Sequence, residues 1–574
     1  MSDCQRENRP NPLSLPASGR EVCRTIISSN TNVAALPWRS AAHIAIVTII
    51  LLIARIANAA GQAPRGANLS SQDRDAATLS HLAAQHFGAL SLAEQRLIDA
   101  APHREFRWIG PSNDDQSPLN DAAQGAKWGP ERSIRHELLR WLIADPDASR
   151  LVHPSGLGFG GVKIDGPLDI SYAVSTKPIT IVHSYFTDPI DLSNAHLAEF
   201  DLRSSKVDSI TADGSTIDGD VSLTFDSFST ISFFRSRIGG SIDCAGSMFD
   251  ASGQLTVSVV EAQIGGDAEF HNGFTTNGTI DARIAKIGGA LDFHAANFTG
   301  DDATGLDADR ATIKGTFYWN EVKHTPKTTL DLENASAGAI WDDAASWPAP
   351  GNLLINGFVY HSIDGGPDNA ESRLQWIALQ PPGYHPQPYR QLAQIFRDAG
   401  RDQNATDMMI AKEVAQRRNT NMNRGNRLWS IMLQYTIGYG FRPLRALWWI
   451  GGFVLFGAIL FGWGYHLRLI TPTEEAAYAE FVKTGEAPPH YPVFNPFVYS
   501  LENFLPVVVL YQDSYWRPNP RHAVGGTLQG SRTMFGINEL PSRILRAYLW
   551  IHILAGWLIT PLLFAGLSGL VRPD

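Results

Sequence analysis

The phrase Ile-x-Gly recurs through the middle of this 574-residue chain, beginning at Ile164, Ile217, Ile238, Ile264, Ile287 and Ile313. The first step is 53 residues and the later ones are 21, 26, 23 and 26, so the long step spans about two short ones. A period of this size is the mark of a solenoid, in which each turn buries its apolar residues on its neighbours. Apolar and polar residues alternate after the glycines, as in Ile238-Gly239-Gly240-Ser241-Ile242-Asp243-Cys244-Ala245. That alternation describes short strands with one buried face. Paired glycines let the backbone bend between strands. Phe228, Phe249, Phe274 and Phe298 are placed for an interior stack, and a second strand follows in each turn, as at Leu255-Thr256-Val257. The fold class expected is mainly β: a parallel β-helix solenoid of about seven or eight coils over 151–347.

The phase of the repeat sorts residues to the two faces. Leu168, Ile242, Ala268 and Leu291 fall inside, with Cys244, Phe270 and Phe293 two positions on. Asp169, Asp243, Glu269 and Asp292 then point outward, followed by Ala245, His271 and His294. With adjacent coils ~4.8 Å apart, Glu269, His271, Asp292 and His294 would form a two-by-two patch. Two imidazoles and two carboxylates suit zinc or a similar metal. The alternative is a solvated polar face.

Mean hydropathy is −0.13, an average of a polar middle and apolar ends. Near the start, segment 41–54 (AAHIAIVTIILLIA) is too short to span a bilayer, which takes roughly 20 residues. Ala57-Asn58-Ala59 fits a signal-peptide cleavage rule, so 1–59 reads as a signal peptide or N-terminal anchor. Region 60–150 is helical, with a capping-box start at Ser91 and a helix over 131–144 carrying Ile134, Leu138, Leu139 and Leu142. Segment 113–127 reads as a loop. Region 348–440 holds a linker and a tetratricopeptide-like hairpin of helices over 387–399 and 402–418, parted by Gly400.

The last region, 441–574, reads as an α-helical membrane domain. Segments 447–467 and 548–571 are long enough to span and carry Trp448, Trp449, Tyr465, Tyr548 and Trp550 near their ends. Between them, 496–510 is apolar but short and holds Glu502, Asn503 and Pro506, which suits a re-entrant or interfacial segment. Glu502 and His552 are the ionisable residues to watch in these stretches, since such groups in lipid often mark a pathway. Their plainer roles are a helix cap for Glu502 and a headgroup position for His552. Thr436-Ile437-Gly438-Tyr439-Gly440 has the letters of a potassium-channel filter but precedes the first span, and reads as a turn.

A net charge of −10 gives no surface suited to phosphates, so nucleic acid is not an expected partner. The three cysteines, Cys4, Cys23 and Cys244, make no CxxC pair, and no cofactor is expected.

Trp128-Gly129-Pro130-Glu131-Arg132, the IGGxLD-type repeats, 346–351 (SWPAPG), 387–393 (QPYRQLA), 437–443 (IGYGFRP) and 499–506 (YSLENFLP) together resemble a family of bacterial membrane proteins. The similarity runs over about 128–572. It implies a pentapeptide-like β-helix with a C-terminal transmembrane hairpin. Some members are labelled oxidoreductases, but the chain has no GxGxxG after a strand and no CxxC to carry such chemistry. The expectation is a scaffold or interaction protein in the bacterial inner membrane, its β-helix periplasmic. Its partners would be the lipid bilayer and an envelope protein or polysaccharide, with oligomers allowed. A pore-like two-helix module and a carbohydrate-active β-helix enzyme are the alternatives, although short coil insertions leave few loops to wall a cleft.

Overall fold

Ile217, Ile238, Ile264, Ile287 and Ile313 lie in one file, each paired in parallel register with the next. All are buried. Each buried Ile is worth about 1.5–3 kcal/mol over an exposed one, so the file is a spine for the rod. Before Ile217 the same file passes through Leu197 and Ser175 and bypasses Ile164. Ile164 pairs instead with Ile134 and Phe186 on another face, so the long first step is a change of file rather than two periods.

In this computed structural model the described residues are 70–104, 106–114, 116–251, 254–300, 305–419, 421–519 and 540–570. The apolar segment 41–54 and the cleavage position after Ala59 lie outside them. The rod is a parallel β-solenoid of about nine turns over 157–365. One coil uses four short strands, for example Arg237–Ile238, Ile242–Asp243, Met248–Phe249 and Leu255–Ser258. The expected inward residues, Leu168, Ile242, Cys244, Ala268, Phe270, Leu291 and Phe293, are all buried.

The glycine pairs act by close approach. A Cβ on Gly265 would lie 2.1 Å from the Gly239 carbonyl oxygen of the coil below, and neither residue has a left-handed backbone. Left-handed φ belongs to two other corners. One runs through Arg235, Glu261, Ile284 and Arg310, the other through His183, Ser204, Phe225, Gly246 and Ala295. The aromatic file is Phe228, Phe249, Thr276 and Phe298. Phe274 sits beside it, 5.3 Å from Phe249, because Asn272-Gly273 lengthens that corner by a residue.

At the entry, capping boxes open Ser71–Phe87 at Ser70 and Leu92–Ala100 at Ser91. The helix expected over 131–144 is divided. Pro130–Arg132 is a 3-10 turn, Ser133–Arg135 is a strand paired with Lys163–Asp165, and the helix is His136–Ala144. Ile134 is more useful as the first apolar rung of its file than on a helix face. Segment 113–127 contains 3-10 turns Pro118–Asn120 and Ala122–Lys127, capped by Ser117 and Asp121.

Strands continue past Trp347 through Leu353–Leu354 and Val359–Gly365. The Ile-x-Gly phrase is gone there while alternation persists. The hairpin Pro386–Asp398 and Asp402–Asn419 follows and covers the last coil. The Gln387 amide accepts from Gly357 N–H at 3.0 Å and donates to the Phe358 carbonyl at 2.8 Å, and Gln391 donates to the Tyr360 carbonyl. Covering an open strand edge blocks pairing with another chain. Helix Ala370–Ile377 adds Arg373, fully buried, which grips Asp342 through two bonds of 2.7 and 2.6 Å.

Arg424–Thr436 leads to the turn Gly438–Gly440 and then to Arg445–His466. This helix and Leu540–Leu567 are long and apolar enough to cross a membrane. Pro496–Phe504, capped by Asn495, is a short helix packed against both, in keeping with a segment that does not span.

Candidate functional site

Strand register places Asp201, Ser222, Asp243, Glu269 and Asp292 in one outward file, followed by Tyr318 and Trp341. Glu269 and Asp292 are direct neighbours, as their spacing predicts. The donors that converge are Asp243, Glu269 and His271, with ligand atoms all within 4.8 Å of one another. Asp292 Oδ2 lies 3.7 Å from His271 Nδ1. His294 turns the other way: its Nδ1 accepts from Asn320 Nδ2 at 2.7 Å. The cluster is therefore one coil nearer the N-terminus than the two-by-two patch, with Asp243 as the member that spacing alone overlooked. Partial burial, then Asp243, Asp267 and Asp292, raise the Glu269 carboxyl above its ordinary value, with His271 opposing. Two carboxylates and an imidazole suit a borderline divalent cation.

Glu502 and His552, singled out in the apolar C-terminal stretches, have different tasks. Glu502 clasps the chain after its helix, accepting backbone N–H bonds from Leu510, Tyr511, Gln512 and Asp513 at 2.9, 2.8, 2.7 and 3.2 Å. His552 is fully buried, midway along its helix, with Nε2 2.9 Å from the Ser500 carbonyl and Nδ1 3.3 Å from the Tyr548 hydroxyl. Phe453, Phe461 and Phe504 surround its ring. Gly457 makes room, since a Cβ there would meet Ser500 Oγ at 2.3 Å.

A third feature escaped the sequence reading. A groove of about 1090 Å³ runs beside the corner file His183, Ser204 and Phe225, whose φ values are 47°, 52° and 57°. Coil insertions are indeed short, but the opposite wall comes from the entry region. Strand Arg107–Trp108 pairs with Phe159 and Gly160 at the end of the sheet. This sets Trp108 5.5 Å from the His183 ring and 5.3 Å from Phe106. The 3-10 turns at Pro118–Asn120 and Ala122–Lys127 extend the wall, with Asp121 on the groove. Arg203, held by Asp201 at 2.8 Å, and Lys206 line the coil side. The signal available in sequence was Phe106-Arg107-Trp108, a short alternation too brief to mark as a strand.

Compared with known proteins, the chain matches no family model, no curated protein and no solved structure.

Proposed function

We propose that the chain is a membrane-anchored scaffold, a β-solenoid held on the bacterial inner membrane with its outward faces presented in the periplasm to an envelope protein or polysaccharide. The observation that carries this reading is the joint between rod and membrane base. Arg442, at the entrance to the first apolar helix, pairs with Asp407 of the hairpin that covers the rod. The Tyr439 hydroxyl accepts from Arg417 at 2.8 Å and lies 2.9 Å from Ser430 Oγ.

Membrane insertion is supported by surface character. The most apolar windows of the two long helices are only 22% and 39% buried, whereas a helix that is apolar all round calls for burial in a core or in lipid. Trp448, Leu455, Phe456 and Ile459 of the first are all exposed. Segment 41–54 and Ala57-Asn58-Ala59 support export, and the family resemblance supports a bacterial membrane. Aromatic packing of Phe453, Phe461 and Phe504 around His552 favours a closed anchor over a conducting pore.

Fractionation and topology test the proposal. The full chain should resist alkaline carbonate extraction, and deletion of 445–567 should release it from membranes. A reporter fused after Thr325 should read periplasmic and one after Ala487 cytosolic. A cytosolic β-solenoid, or ion flux in liposomes that follows the protein, would overturn the proposal in favour of a pore.

A further inference from the structure

The groove beside His183, Ser204 and Phe225 has an exposed aromatic ring on its floor. Phe225 occupies a left-handed corner and leaves 68% of its surface exposed. The next coil has glycine, Gly246, at the same corner. Across the groove Phe106 is also exposed, and Trp108 stands beside it. Aromatic faces therefore border both sides of a space large enough for a small-molecule or oligomeric ligand.

Polar chemistry narrows the ligand class. Arg203 and Lys206 supply positive charge on the coil side and Asp121 a carboxylate on the opposite wall. Ser117 on the entry wall and Ser204 and Ser227 on the coil side add hydroxyls to the lining. A peptide adding as a strand needs free backbone groups, but the corner amides are committed: His183 donates to Arg203, Ser204 to Thr224 and Phe225 to Ala245, each at 2.9 Å. Recognition must come from side chains. A nucleic acid would use the rings and the cations but would set its phosphates against Asp121. A sugar acid satisfies all three: C–H faces on the rings, an acid group on the cations, and hydroxyls that donate to Asp121.

We propose that this groove binds an anionic saccharide, two or three residues of a uronic-acid chain lying along the corner file between Phe225 and Trp108, with Lys206 and Arg203 on its carboxylates. The inference rests on reading the rod as a binding surface and names the partner class that the surface takes.

The test uses full-length protein in detergent micelles with labelled trigalacturonate, a neutral cellotriose of equal length, a hexaglutamate peptide and a short single-stranded oligonucleotide as probes in equilibrium dialysis. Trigalacturonate should bind at least tenfold more tightly than cellotriose, and weaken with added salt. Phe225→Gly, which takes the residue already found at the next corner, should retain the melting temperature and lose at least tenfold in affinity. Lys206→Gln should abolish the preference for the charged sugar. No binding of trigalacturonate, equal binding of cellotriose, binding indifferent to both substitutions, or preference for the peptide or oligonucleotide would each overturn the proposal. Anchorage is read separately by fractionation, so failure here leaves the scaffold reading standing, and failure there does not touch the groove.

Discussion

At the scale of single residues, the most informative position is Asp226, which stands where its neighbouring coils have serine. Ser184 N–H donates to Ser205 Oγ at 3.1 Å, Ser205 N–H donates to Asp226 Oδ1, and Asp226 N–H donates to Ser247 Oγ at 2.9 Å. One carboxylate oxygen serves this ladder, and the other, Oδ2, has no hydrogen-bond partner among the described residues. Burial pushes the Asp226 carboxyl well above its ordinary value, and Asp201 adds to the rise. A raised acid stabilises the fold while it can stay protonated. That contribution is full below its unfolded pKa, near 4, and is lost as pH rises through the folded value. Asp226→Ser should therefore be more stable than the parent at pH 8 by about 1–3 kcal/mol, the cost of an unsatisfied buried group, with the gain vanishing near pH 4. Urea unfolding of the two proteins at both pH values checks this, and equal stability at pH 8 would mean that the carboxylate is satisfied there.

At the scale of the strand and its neighbours, two files decide how the rod responds to change. The glycine file tolerates nothing larger: Gly265→Ala places a methyl 2.1 Å from a backbone oxygen and should cost on the order of 3 kcal/mol or more. Gly273→Ala, at φ 95° with open space around it, should cost only about 1 kcal/mol of conformational strain. Thermal melts of the pair distinguish close stacking from turn freedom as the reason for glycine. The second file is acidic. Asp281, Asp307 and Asp331 are consecutive rungs, and Arg283 reaches Asp281 at 2.6 Å and Asp307 at 3.6 Å. Burial, together with Asp307, Glu333 and Asp309, lifts Asp331 to about 6 against the Glu333 backbone bond that lowers it. Its stabilising share is full below pH ~4 and is lost as pH rises through about 6. The rod should thus soften between those values, and Asp331→Asn should flatten that part of the melting-temperature profile. Strand parity was legible in the sequence because alternation is local and every inward residue repeats it. The turn of His294 was not, because its cause is Asn320, one coil away, and nothing local to His294 announces it.

At the scale of the whole molecule, the apolar and polar halves were legible from composition, while the places where they meet were not. The groove joins Trp108 to Phe225, more than a hundred positions apart, and the rod outruns its own Ile-x-Gly signature to Gly365, where glutamines of a helical hairpin close the edge. His552 shows the same limit: its helix was recognisable as apolar, but burial against Ser500 depends on a third, short helix. The joint between rod and base offers the decisive test of how the molecule is built. It is small and polar, centred on Tyr439, whose φ of 55° sets the turn, and on the Arg442–Asp407 pair. The rod's apolar core reaches into the hairpin as far as Met409, while Ile437 and Ala446 belong to the core of the membrane base. Polar bonds at the seam can therefore be removed without opening either core. Combining Tyr439→Phe, at a buried position, with Asp407→Asn should loosen the seam by about 1 kcal/mol, the net worth of a hydrogen bond, and leave the melting of the rod and membrane fractionation unchanged. Proteolytic cleavage should rise several-fold between the hairpin and the helix Arg424–Thr436 as local opening becomes easier. Unchanged cleavage would place the coupling in apolar packing such as that around Phe441, which contacts the rod's core; simultaneous loss of rod stability would mean that rod and base fold as one cooperative unit.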